Sequence, residues 1–139
     1  MNIENTIEEI NEIVNWYRSL PADYTGINDL MYQRIQLVTL MSFYATSMSD
    51  YRIQWKEAEI VLERKKRTII KERLDVGEPM TKSLEYAKYF TIEEYATEKR
   101  YDGAYNQMRS FYETTNKIID AINQHISNLK REETQTKNL

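Results

Sequence analysis

The chain has 139 residues, 41% of them apolar and 29% charged, with no Cys, one His, three Gly, two Pro and a net charge of −3. That composition excludes a disulfide scaffold, a collagen-like or low-complexity chain, and a protein with an apolar run of about 18 residues able to span a membrane. It fits one compact domain, expected to bury roughly 68–70% of its unfolded surface. The opening Met1-Asn2-Ile3-Glu4 lacks the basic flank and apolar core of a signal peptide, so the expected location is the cytoplasm.

Glycine and proline weaken helix interiors and are so scarce here that each marks a boundary. From Ile3, the positions Ile3, Ile7, Ile10, Val14 and Tyr17 alternate steps of four and three. This spacing predicts a helix over about 2–20, ended by Pro21. A turn through Asp23 to Gly26 follows, with Asn28 and Asp29 as candidate N-caps. The next breaker is Gly77. Between them Met41, Tyr44, Met48, Tyr51, Trp55, Ala58, Leu62, Lys65 and Ile69 keep three-four spacing with one polar member, which predicts a helix over about 28–75 that would be roughly 70 Å long.

Gly77-Glu78-Pro79 ends that helix, and a short one is expected over about 81–89. Thr91-Ile92-Glu93-Glu94 reads as a capping box, Thr91 accepting from the early amides and Glu94 reaching back. It would open a helix over about 91–130, in which Tyr101, Tyr105, Met108, Tyr112, Thr115, Ile119, Ile122, Ile126 and Leu129 again alternate fours and threes. Residues 131–139 show no periodicity and are expected to fray. No stretch alternates with period two long enough for a strand. The reading is all-α: an antiparallel hairpin of two long helices plus an N-terminal helix, a coiled-coil-like bundle forming a single helical domain over 1–130.

Antiparallel pairing would set Ile69 near Tyr95 to Tyr101, Trp55 near Tyr112 and Met41 near Ile126. Helix one is too short to shield the whole hairpin, so apolar surface would remain wet unless a second copy covers it. A homo-oligomer is therefore expected, its interface on Tyr51, Trp55, Leu62, Ile69, Tyr105 and Tyr112. The alternative is a kink near Thr46 to Ser49 that closes a compact four-helix monomer.

Residues 64–73 carry six cations against one acid, a local balance of +5, so the rest of the chain sums to −8. Arg64, Arg67 and Lys71 share a face opposite the Trp55/Leu62/Ile69 stripe and should point to solvent. The hairpin would bring Lys99, Arg100, Lys82, Lys88, Tyr86, Tyr89 and Tyr95 to the same end. Such a pole suits single-stranded nucleic acid, cations neutralising phosphates while rings stack on bases. Its plainer reading is a solvated face in which cations complement a helix C-terminus and pair with Glu63, Glu93, Glu94 and Glu98. Helix one, with Glu4, Glu8, Glu9 and Glu12 against Arg18, would repel DNA or dock a basic partner.

A catalytic reading finds no support in the residues. There is no cysteine nucleophile, no second His to share a metal or triad with His125, no Glu-x-x-His pattern and no glycine-rich phosphate loop. No catalytic residue, metal or cofactor is expected, and His125 reads as a rim or capping residue.

The chain from about 50 to 130 resembles the phage recombination mediators of the UvsY type. The likeness lies in Glu63-Arg64-Lys65-Lys66, then Lys71-Glu72-Arg73-Leu74-Asp75, the break at Gly77, the Met80-Thr81 restart, and a second long helix with Tyr95, Tyr101 and Tyr105 ending in Ile118, Ile119 and Ile122. The acidic helix one and the dense tyrosines have no counterpart in that pattern. The resemblance implies a non-enzymatic, oligomeric, phage-type protein of the host cytoplasm that binds single-stranded DNA, contacts a recombinase and a single-strand-binding protein, and helps load the recombinase. Lys65, Lys66, Lys71 and Arg73 would be its DNA-contacting cations. The competing readings are a protein-interaction module, such as an inhibitor of a host defence complex, and a structural or virion adaptor.

Overall fold

A computed structural model describes residues 2–137. Four helices follow in order, α1 Ile3–Arg18, α2 Ile27–Asp75, α3 Met80–Phe90 and α4 Ile92–Lys137, with no strand among the described residues. The protein is all-α, and α2 runs without interruption through Thr46–Ser49, where a break was the alternative. α4 is helical to Lys137, well past the last periodic residue Leu129. Local bonds sustain those turns without a core: Lys137 pairs with Glu133 at 3.2 Å, and the Thr134 and Thr136 hydroxyls donate to carbonyls four residues back.

The chain forms two compact units, Met1–Ser47 with Arg109–Leu139 (unit 1), and Met48–Met108 (unit 2). Unit 1 packs α1 with the first part of α2 and the second part of α4. Ile10, Leu30, Leu37 and Ile122 are fully buried there, joined by Ile13, Val14, Leu40, Met41, Tyr44 and Ile126. The Asn2 side chain accepts from the Glu4 amide at 2.8 Å and opens α1. The α1–α2 loop is held by His125, whose Nε2–H donates to the Tyr24 carbonyl at 2.9 Å, while the Tyr17 hydroxyl lies 3.5 Å from Nδ1. His125 is a clip between a loop and α4, in keeping with a capping role.

Unit 2 consists of the second part of α2, α3 and the first part of α4. α2 ends in a Schellman motif: the Glu78 amide donates to Arg73 O at 3.1 Å and the Gly77 amide to Leu74 O at 3.0 Å. Gly77 takes a φ of 88°, which a side chain would oppose. The tight turn lets α3 fold straight back along α2, so Tyr86 sits under Arg73. This displaces the expected register. Trp55 meets Glu98 and stacks on Tyr105 rather than lying near Tyr112, because α3, and not α4, accompanies the last turns of α2. The capping box at Thr91 is also corrected. Thr91 ends α3, is buried, and its hydroxyl donates back to Ala87 O at 2.7 Å. Glu94 reaches across to Lys65 instead of back to Thr91.

Candidate nucleic-acid interface

The basic stretch of α2 divides by helical angle. At roughly 100° per residue, Arg64, Arg67 and Lys71 fall on the side away from buried Leu62. All three are exposed and none has an ion pair within 4 Å. They form one line of free positive charge along α2, as the spacing predicts.

Lys65, Lys66 and Arg73 turn the other way, towards α3 and α4. The Lys65 ammonium bonds the Glu94 carboxylate, and that hydrogen bond is the main reason the Glu94 carboxyl is held below the ordinary carboxylate range. Arg73 lies 3.5 Å above the Tyr86 ring, with Nε 3.2 Å from Glu78 Oε2. The Nε–H is not aligned as a hydrogen bond to any acceptor, so the Glu78 contact acts as charge against charge. These two cations hold the unit together and are engaged.

Lys66 is the free member of the inward set. With Lys88, Thr91, Ile92 and Tyr95 it lines a hollow of about 220 Å³. Neither lysine has an ion pair within 4 Å, and Tyr95 is 51% exposed. Lys99 stands 5.4 Å from that ring but is shared with Glu98 and Asp102 at 3.8 and 3.9 Å. Arg100 donates to Thr97 Oγ1 at 3.2 Å and lines a separate hollow with Tyr51, Tyr101 and Ala104. Of the expected pole, then, Lys66, Lys88 and Tyr95 are brought together, Arg64, Arg67 and Lys71 form a separate line, and Lys65, Arg73 and Lys99 are neutralised by partners.

The residues expected at an interface with a second copy differ in how far the chain itself covers them. Leu62 is buried, Trp55 and Tyr105 stack with centroids 5.7 Å apart, and the Trp55 indole donates to Glu98 at 3.0 Å. Tyr51 and Ile69 line hollows within unit 2, and Tyr112 is half-buried in unit 1. Of the six, only Leu62 is fully covered by the chain's own helices, and the other five remain half-buried. Glu98, expected only as an acid pairing with the surface cations, is 7% exposed and serves the Trp55 N–H, a role its place one turn before the seam residue Tyr101 hinted at.

Among the described residues no group of three or more His, Cys, Asp or Glu could hold a metal ion, and no helix is long and apolar enough to cross a membrane. Comparison with protein-family models, with curated proteins and with solved structures gives no match.

Proposed function

We propose that this chain binds single-stranded nucleic acid through unit 2, as a non-enzymatic mediator that helps load a recombinase on the strand. The observation that carries the reading is the Lys66–Lys88–Tyr95 hollow: two lysines with no ion pair within 4 Å line it together with an exposed tyrosine. Ammonium groups of this kind neutralise phosphates while a ring stacks on a base, whatever its identity. The line Arg64, Arg67 and Lys71 supplies further phosphate contacts. Unit 2 carries twelve cations and twelve acids, so its attraction for a polyanion is local and falls steeply with salt.

Anisotropy of a labelled oligonucleotide tests this. With about five phosphates neutralised, affinity should drop on the order of 100-fold between about 50 and 200 mM salt. Lys66→Glu with Lys88→Glu should weaken binding at least about tenfold, and Tyr95→Ala should weaken it with little change in salt slope. Absence of binding at tens of micromolar in low salt, or binding indifferent to these three positions, would overturn the reading.

One observation favours a second reading, a protein-interaction module. Met80 and Leu84, one turn apart on α3, are each at least half exposed, a short apolar row suited to a partner helix. Oligonucleotide binding that fails while Leu84→Glu abolishes a stoichiometric, nuclease-resistant protein complex would favour that class.

A further inference from the structure

Buried α2 residues in unit 1 are Leu30, Leu37, Leu40, Met41 and Tyr44. The opposite side of the same segment is also apolar: Tyr32 is 60% exposed, Ile35 55%, Val38 47% and Phe43 51%. Tyr32, Ile35, Thr39, Ser42, Phe43 and Thr46 fall within about 100° of arc. From Met31 to Ser49 the one charged residue is Arg34, which points away from this arc and donates to Asn123 at 3.2 Å. The aliphatic hydroxyls of the arc are internally satisfied. Thr39 donates to Ile35 O at 2.9 Å, Ser42 to Val38 O at 3.2 Å and Thr46 to Ser42 O at 3.2 Å, so these three need no water and can be covered without being stranded, which leaves the Tyr32 phenol to reach solvent or a partner group at the rim.

We infer that this outer face of α2, Tyr32 to Thr46, docks the same face of a second copy in an antiparallel two-fold pair. The occupant follows from what the face accepts. A charged partner would bury its charges against a surface holding no counter-charge, whereas a second copy brings the same neutral surface. A two-fold axis at Thr39 sets Tyr32 of one copy over the small Thr46 of the other and Ile35 beside Phe43. Thr39 and Ser42 lie at the centre, where small side chains let helices approach. The four large side chains expose roughly 400 Å² per copy, within the range of functional apolar patches on monomers. Two copies would therefore bury no more than roughly 800 Å² from these side chains, below a standard stable interface, so the pair is weak and reversible. This inference concerns unit 1 and does not rest on the nucleic-acid reading of unit 2.

Sedimentation without nucleic acid, from about 5 to about 500 µM, should show the mass rising from 16.7 kDa towards twice that value. Phe43→Glu should hold the chain monomeric with its helical circular dichroism unchanged, while Ile60→Glu, exposed on α2 in unit 2, should leave the rise intact. Because the chain has no cysteine, Thr39→Cys offers a single thiol that should form a covalent dimer under mild oxidation. A 16.7 kDa species at every concentration, or a dimer insensitive to Phe43→Glu, overturns the interface. A Phe43-dependent dimer that Thr39→Cys fails to cross-link overturns the antiparallel register.

Discussion

Units 1 and 2 share the helices α2 and α4 yet hold them together differently. In unit 1 ten large apolar side chains from three helices are buried, whereas in unit 2 the buried apolar residues are Leu62 and Ala87, beside Ser83, Thr91 and Glu98. What unit 2 lacks in core it replaces with rings and charges: the Trp55–Tyr105 stack, the Trp55–Glu98 hydrogen bond, Arg73 over Tyr86, and Lys65 with Glu94. Ring and charge contacts of this kind, part-buried or exposed, contribute less than buried apolar area. The lesson is a division of labour. A segment with few buried apolar groups opens locally at lower free energy, and the candidate binding residues all lie in that segment.

The largest effect should therefore come from unit 1. Leu37→Ala removes a fully buried side chain and should cost about 2–5 kcal/mol, read as a lower denaturation midpoint with unchanged slope. Hydrogen exchange on the unmodified protein sharpens the contrast: amides of Leu37 to Tyr44 should open only with global unfolding, those of α3 well before it. Equal protection in the two units would remove the distinction.

Next in size is Trp55→Phe. Phenylalanine keeps a ring against Tyr105 but leaves the nearly buried Glu98 carboxylate without its N–H donor. The expected cost is about 1–3 kcal/mol, confined to unit 2. Faster exchange in α3 and in α4 before Met108, with unit 1 protection intact, is the expected result; uniform loss across both units would show that the two open as one.

The same contrast explains what could be read in advance. Apolar spacing in α1 and in α4 beyond Tyr112 marks residues that are buried, such as Ile10, Val14, Ile122 and Ile126, because a three-helix core accepts one apolar stripe per helix. α2 defeats the same method. It is apolar on two opposite sides in unit 1, and a search for one three-four seam finds Met41 and Tyr44 while passing over Tyr32, Ile35 and Phe43. The exposure of Arg64, Arg67 and Lys71 was legible because it needs only the helical angle. Their separation from Lys66 and Tyr95 was not, since that depends on register, and register depends on how tightly the chain turns at Gly77. Thr91 shows a further limit: a Thr followed three residues later by Glu suits a capping box, yet here the hydroxyl serves the preceding helix and the carboxylate a lysine on another. Local motifs state which bonds are available, and tertiary contacts choose among them.

The smallest effect divides the units by pH. Unit 1 has no ion pair between helices among the described residues, whereas unit 2 has Lys65 with Glu94. Because the folded Glu94 carboxyl is held below its ordinary range, its contribution is present above the unfolded carboxylate value and lost as pH falls through the folded one. Acid should therefore loosen unit 2 through this pair. At the other extreme, burial pushes the Tyr44 phenol in unit 1 up to about 12. Its contribution is present below the ordinary phenol value and lost as pH rises towards 12. Carboxyl NMR should find Glu94 titrating below the ordinary carboxylate range, and Lys65→Met should return it to that range, while tyrosinate absorbance should show a phenol ionising near 12 that Tyr44→Phe removes. A Glu94 that titrates in the ordinary carboxylate range would leave the Lys65 contact without influence on unit 2, whose resistance to acid would then have to rest on its rings and on the Trp55–Glu98 and Arg73–Glu78 contacts.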